Sequence, residues 1–203
     1  APLDASRAGA TLTTLKNGGA LVAGGTVGAL ATATFQILDP ATGLWSTPVG
    51  TLNAARSGHT ASLLADGGVL VMGGANGATV LASAEVYNPV SESWSLTSSA
   101  PAARKDHTAT VLSDGRVLVI GGRTTGDNRL STAQVFDPIS GSWTNVASMT
   151  GTRYWHTATL LPTGLILVVG GRFGNGVSVA SCQLYDPSTN TWRPTGSMNL
   201  DRR

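Results

Sequence analysis

The sequence is poor in cysteine, in charge and in lysine, and each shortage excludes something. Its one cysteine, Cys182, can neither close an internal disulfide nor build a cysteine-rich zinc site, so a stapled miniprotein and a zinc ribbon are ruled out. Charged residues make up 12% of the 203 residues, about half the roughly 25% of an ordinary globular domain. With 41% hydrophobic residues, the chain also lacks the high-charge, apolar-poor character of a disordered one and should fold. Its 26 glycines cluster in pairs rather than at every third position, which excludes a collagen. The 13 basic and 11 acidic side chains leave a net charge of +2 with no basic run, so nucleic acid is not an expected partner. Long apolar runs are missing too. Stretches such as Leu165 to Val169 are far short of the roughly 20 residues of a membrane helix, and no charged-then-apolar leader opens the sequence; no membrane span is expected. Only two lysines and two glutamates occur, while threonine and valine abound, so no helix longer than a turn is expected. The same composition suits a secreted, extracellular protein.

What the chain has is repetition. Trp45, Trp94, Trp143 and Trp192 are each 49 residues apart, and so are Asp39-Pro40, Asn88-Pro89, Asp137-Pro138 and Asp186-Pro187. Double glycines recur at Gly24-Gly25, Gly73-Gly74, Gly121-Gly122 and Gly170-Gly171, in steps of 49, 48 and 49. In one unit, His107 to Leu112 and Val117 to Ile120 flank Asp114-Gly115, which reads as a hairpin whose tip takes positive φ angles. The matching tips are Asn17-Gly18, Asp66-Gly67 and Thr163-Gly164. A third strand, Ala133 to Phe136, ends at Asp137-Pro138, because proline has no amide hydrogen for the ladder. A fourth follows around Trp143. Four short strands per unit, four times over, predict an all-β chain.

The double glycine, followed by an aromatic and a tryptophan with six residues between them, resembles the kelch repeat: Tyr87 to Trp94, Phe136 to Trp143 and Tyr185 to Trp192, with Leu38 in the aromatic's place before Trp45. The wording His-Thr-Ala and Val-Gly-Gly is similar to the galactose-oxidase propeller. The resemblance implies a kelch-type β-propeller of four four-stranded blades per chain, a single domain with repeats at about 3–51, 52–99, 100–148 and 149–197. Leu3 to Arg7 matches Leu52 to Arg56, and Met198 to Arg202 matches Met149 to Arg153, so both ends carry the same linker. Propellers of this family resemble rings of six or seven blades. A longer repeat array, a homo-oligomer closing a larger ring, and a small ring of four blades are the alternatives.

Several residues invite chemistry. His59, His107 and His156 share one repeat position, where the first repeat has Ala10. Metal ligands must sit about 2.0 to 2.1 Å from an ion, and equivalent positions on separate blades are too far apart, so these rings are expected to bond a neighbouring blade's backbone; no metal and no cofactor is expected. Arg56, Arg104 and Arg153 precede them, with Arg7 and Arg202 as counterparts. Either they line the channel mouth, as the resemblance implies, and grip a carboxylate or acidic peptide bidentately, or they satisfy backbone carbonyls. Trp155 replaces Gly9, Gly58 and Asp106 of the other repeats and adjoins Tyr154, an aromatic pair suited to stacking on a sugar, anchoring a peptide, or packing. The loops after the glycine pairs carry the unrepeated polarity: Arg123, Asp127, Asn128 and Arg129 in one, Arg172, Phe173 and Asn175 in the next. Ligand contacts are expected to form one face from these groups.

The function expected is a noncatalytic one, presentation of loops and a channel mouth to a protein or glycan. The alternatives are a fragment or remnant of a copper-radical oxidase propeller and a self-assembling structural propeller. Against an oxidase, Cys182 stands at the strand position held by Phe35, Ala84 and Ala133, which marks it as core filler, and no second set of copper partners is visible. Gly170 to Gly176 is superficially a phosphate loop, yet no helix is expected after it and its glycine pair recurs three more times.

Overall fold

The computed structural model describes residues 3–46, 50–174 and 176–201. Two residues singled out above, Asn175 and Arg202, lie outside them. The chain is all-β, with a three-residue 3-10 turn at Thr125–Asp127 as its one helical element among the described residues. No helix is long and apolar enough to cross a membrane. The strands gather into two compact units, residues 1–99 and 100–203, and each unit holds two blades.

In the first unit, blade 1 comprises Thr11–Thr14, Ala20–Ala23 and Phe35–Leu38, and among the described residues a single bridge between Leu38 and Trp45 stands at the place of its outer strand. Blade 2 comprises Thr60–Leu63, Val69–Met72, Ala84–Asn88 and Ser93–Leu96, all antiparallel. In the second unit, blade 3 runs Thr108–Val111, Val117–Ile120, Ala133–Asp137 and Ser142–Val146. Blade 4 runs Thr157–Leu160, Ile166–Val169, Cys182–Asp186 and Thr191–Thr195.

The hairpin tips differ in detail from the expected two-residue turn. Leu112 N–H donates to Arg116 O, Gly115 N–H donates to Leu112 O, and only Gly115 has positive φ (86°), which is a type I turn closed by a glycine bulge. Asp114 Oδ1 accepts the Arg116 amide at 3.0 Å, as Asp66 does for Gly68 and Asn17 for Gly19, so the aspartate serves as an acceptor rather than as a left-handed residue.

Two interblade joints, one within each unit, follow one plan. Apolar side chains face each other: Leu21, Ala23 and Phe35 against Val69, Val71 and Tyr87 in the first, Leu118, Ile120, Ala133 and Val135 against Ile166, Val168 and Tyr185 in the second. Above the apolar layer, the second glycine of one blade donates its amide to the next blade's arginine carbonyl, Gly25 to Arg56 and Gly122 to Arg153, both at 2.8 Å. The glycines are obligatory there. A methyl group on Gly24 would fall 2.5 Å from Arg56 O and 2.7 Å from the His59 ring, and its φ of +61° disfavours any side chain.

The four tryptophans hold equivalent places but are half-buried rather than enclosed. Trp94 packs edge-on against Phe35 of the neighbouring blade at 5.7 Å, and Trp192 Nε1 donates to Ala147 O at 2.7 Å. Short hairpins after the glycine pairs, Thr26–Val27 with Leu30–Ala31 and Ala75–Asn76 with Thr79–Val80, occur in the first unit only, among the described residues. The second unit has irregular loops there, and these carry the charged residues.

Candidate functional site

The repeated polar positions are consumed inside the blades. Arg56, Arg104 and Arg153 are fully buried, each at 0% exposure. Arg56 Nη1 donates to Gly73 O at 2.8 Å and Ser83 O at 3.1 Å, and its Nη2 to Ser83 Oγ at 3.0 Å and Glu85 Oε1 at 2.6 Å. Arg104 donates to Gly121 O, Thr132 O and Thr132 Oγ1; Arg153 donates to Gly170 O, Ser181 O and Ser181 Oγ. Each guanidinium thus ties the end of its blade's second strand to the start of the third. Of the two readings of these arginines, the geometry supports the structural one, and they are corrected out of the ligand face. Burial draws all three pKa values down, that of Arg104 to about 10. Of the three, only Arg56 pairs with a carboxylate among the described residues, and that carboxylate, Glu85, also accepts the amides of Asn53 and Ala54.

Two of the histidines, His59 and His156, are equally committed, though to a different partner than expected. His59 Nε2 meets Thr11 Oγ1, and His156 Nε2 meets Thr108 Oγ1, both at 2.9 Å. The bond runs to a threonine hydroxyl on the preceding blade, not to backbone. Burial, reinforced by the adjacent Arg56 or Arg153 charge, pushes the pKa of His59 and of His156 down to about 3. A neutral, buried ring whose Nε2 is already bonded to its own threonine is an interblade fastener. No group of three or more His, Cys, Asp or Glu side chains gathers among the described residues.

The unrepeated residues do come together, all within the second unit. Tyr154 and Arg172 exchange backbone hydrogen bonds, as Lys105 and Arg123 do, so each blade's entry segment is stitched to its own post-glycine loop. Trp155 N–H then donates to Asp106 O at 3.1 Å, joining the entry segments of blades 3 and 4. The same place in the first unit is Gly58 donating to Gly9. All four positions are left-handed: φ is +64° at Gly9, +62° at Gly58, +57° at Asp106 and +54° at Trp155. For a bulky aromatic this is a strained conformation, held only because the surrounding bonds fix it.

Around this point the side chains interlock. Arg123 donates to Asp106 Oδ2 through Nε at 2.8 Å and pairs with Asp127 Oδ1 at 2.5 Å; Arg129 pairs with Asp127 Oδ2 at 2.8 Å. Burial alone would lower the Arg123 pKa, but the hydrogen bonds and charges of Asp106 and Asp127 outweigh it and raise it. The Arg123 guanidinium lies 4.8 Å from the Tyr154 ring centre and 5.0 Å from that of Trp155, while Arg172 lies 5.4 Å from Trp155. Tyr154 is 3% exposed and forms the floor; Trp155 is 39% exposed and forms the outer ledge. Three arginines against two aspartates leave the cluster at +1, and Arg172 has no carboxylate partner among the described residues.

Two predicted residues fall away from this cluster. Asn128 is exposed and turned back on its own loop, its Nδ2 donating to Thr125 O. Phe173 lies beneath Arg153 at 5.2 Å and lines a separate groove of about 300 Å³ with Thr150, Ser181, Cys182, Gln183 and Pro194. Sequence reasoning missed the role of Asp106. The signal for Asp106 was its place: it and Trp155 are the two departures from glycine at one repeat position.

The family model of the KLHDC2/KLHL20/DRC7 Kelch-repeats domain matches residues 58–199, which is 142 of 203 residues. No curated protein matches the chain. The match spans blades 2 to 4, and blade 1 repeats the same arginine, double glycine and turn chemistry; the chain belongs to the kelch-repeat β-propeller family.

Proposed function

We propose that the chain is a noncatalytic interaction module that takes an acidic segment of a partner protein on the ledge formed by Trp155, Arg172 and the Arg123–Asp127–Arg129 cluster. Kelch repeat domains mediate protein interactions, and they are generally noncatalytic. The observation that carries the finer reading is Trp155: a large aromatic held at φ +54°, where the first unit has glycine, costs stability, and at 39% exposure much of its ring stays in water. A ring kept exposed under strain, beside a guanidinium without a carboxylate partner among the described residues, suits a ligand that offers an apolar side chain and a carboxylate together. An oxidase remnant finds less support. Cys182 and Tyr185 are three apart on one strand and so point to opposite faces, and the Tyr185 hydroxyl is bonded to Asn190. A secreted setting rests on composition alone.

The test uses Trp155→Gly, which restores the residue of repeats 1 and 2, and Arg172→Gln. An immobilised panel of Asp/Glu-rich peptides, charge-neutral peptides and neutral oligosaccharides is probed with each protein. Acidic peptides should be retained, more weakly at high salt, and at least tenfold more weakly by either variant. Trp155→Gly should melt no lower than the wild type. Retention of the same peptides by wild type and Trp155→Gly alike refutes the reading, and selective retention of oligosaccharides moves it to a glycan.

A further inference from the structure

The joints inside the two units are built alike except at their hairpin ends, where one is filled and the other is open. In the first unit Lys16, on the hairpin tip of blade 1, crosses the joint to blade 2. Its Nζ donates to Ala65 O, and its Cδ and Cγ lie 3.5 and 4.0 Å from the place a methyl on Gly67 would take. Pro89, from the outer turn of blade 2, stands 3.9 Å from the same place. The aliphatic stem thus rests over the glycine of the neighbouring tip while the ammonium takes a carbonyl.

The second unit repeats the walls of this slot without the lysine. Ser113 stands where Lys16 stands, Pro162 where Ala65 stands, Gly164 where Gly67 stands and Pro187 where Pro89 stands. Nothing lies within 4 Å of the place a methyl on Gly164 would take, and a groove of about 300 Å³ opens between the tips of blades 3 and 4, with Leu112 and Leu165 among its walls. The charge has changed as well. Asp114 replaces Asn17, and Asp186 replaces Asn88. Arg116, the one cation in the groove wall, is bonded to Asp114 through Nε at 2.8 Å and is attracted by Asp137, so its charge is already answered. Asp186 accepts from Ser188 Oγ at 2.6 Å, and no cation pairs with it among the described residues.

We propose that this groove is a docking slot for a lysine side chain of a partner protein, its stem over Gly164 and its ammonium between the Pro162 carbonyl and Asp186. Lys16 is the template for the occupant: the chain supplies the cation itself in one joint, and in the other it leaves a carboxylate-lined space for one. Arginine fits the template less well, because its guanidinium is a rigid planar fork, whereas Lys16 carries a compact charge on a flexible stem. The groove lies at the other end of the blade 3 and blade 4 strands from Trp155, so it is a second surface and does not rest on the ligand reading above.

The test follows the backbone amide resonances of the chain by NMR as Nα-acetyl-lysine N-methylamide is added, with the norleucine and arginine analogues as controls. Lysine should give saturable shifts at Thr163, Gly164 and Leu165 in the millimolar range, fading at high salt. Norleucine, which has the stem without the charge, should bind about fivefold more weakly, and so should lysine to Asp186→Asn. Ser113→Lys supplies the occupant from within, as the first unit does. It should abolish the response and melt no lower than the wild type. Absence of saturable shifts at Gly164 overturns the proposal, as does norleucine binding as well as lysine or arginine binding better. An undiminished response in Ser113→Lys, with an amide spectrum otherwise that of the wild type, also overturns it. Asp186→Asn, at an exposed turn, decides independently of whether Ser113→Lys folds: lysine affinity equal to that of the wild type would remove the carboxylate from the slot and refute the assignment.

Discussion

Lowering the pH from 7 to 5 should destabilise each two-blade unit through the buried histidine of its internal joint, His59 in the first and His156 in the second. His59 and His156 have folded-state pKa values of about 3 because burial disfavours the cation and the nearby arginine repels it. In the unfolded chain each returns to about 6.5. A depressed histidine pKa means the unfolded state binds the proton first, so the stability is fully present above pH 6.5, falls as pH drops below it, and levels off below pH 3. At pH 5 the stability lost through each of these two histidines is about 1.36 kcal/mol times the 1.5 pH units below 6.5, or about 2 kcal/mol. For about 100 residues that is a fall of about 8–16 °C in melting temperature. Three aspartates held in the charged form act outside this window. Asp39, Asp114 and Asp186 are held below the usual value, chiefly by hydrogen bonds from the Ala41 amide, the Arg116 side chain and the Ser188 hydroxyl, and lose their contribution only below about pH 4. Thermal and urea melts at pH 7, 6 and 5 measure the slope, and His59→Gln/His156→Gln should flatten it, since glutamine keeps a polar atom near the threonine and does not titrate. An imidazole resonance of the folded protein titrating near 6.5 for either residue, or a slope unchanged in the double variant, would refute the assignment of these rings as neutral fasteners.

Glu85→Ala should cost about 3–5 kcal/mol because it strands the buried Arg56 charge and the Asn53 and Ala54 amides, whereas Glu85→Gln, which copies Gln36, Gln134 and Gln183, should cost clearly less; equal losses in urea titration would mean the ion pair itself is unimportant. Among the repeated tryptophans, Trp94→Ala and Trp192→Ala should each lose about 2–3 kcal/mol, the first with its Phe35 contact and the second with its bond to Ala147. Trp45→Ala, opposite Leu38 rather than an aromatic, should lose about 1 kcal/mol less, and a denaturant series in which it is the costliest of the three would contradict the packing described.

The fold was legible because each repeated marker does one physical job that a residue type announces. Gly115 can sit at φ +86° and Gly24 can approach Arg56 O, and no other residue does either cheaply, so their spacing carries the hairpin and the joint. The arginines were ambiguous for a different reason. A guanidinium is satisfied equally by a ligand carboxylate or by converging carbonyls, and the convergence of Gly73 O and Ser83 O on Arg56 exists only after the third strand has paired with the second. A clue was nevertheless present. His59 lies 48 residues after Thr11 and His156 48 residues after Thr108, the same offset twice, which is how a repeat writes a bond between neighbouring blades. A polar residue present in nearly every copy serves something every copy shares, and in a stack of blades that is the joint. A polar or aromatic residue present once serves something the molecule does once. Trp155 and Asp106 stand at a position that the first two repeats keep as glycine, and they lie at the centre of the Arg123 cluster. Repetition therefore separates the frame from the site on the strength of residue type and spacing alone. What it withholds is the backbone strain at Trp155, because a left-handed φ at a non-glycine residue is imposed by the bonds around it and leaves no mark in composition.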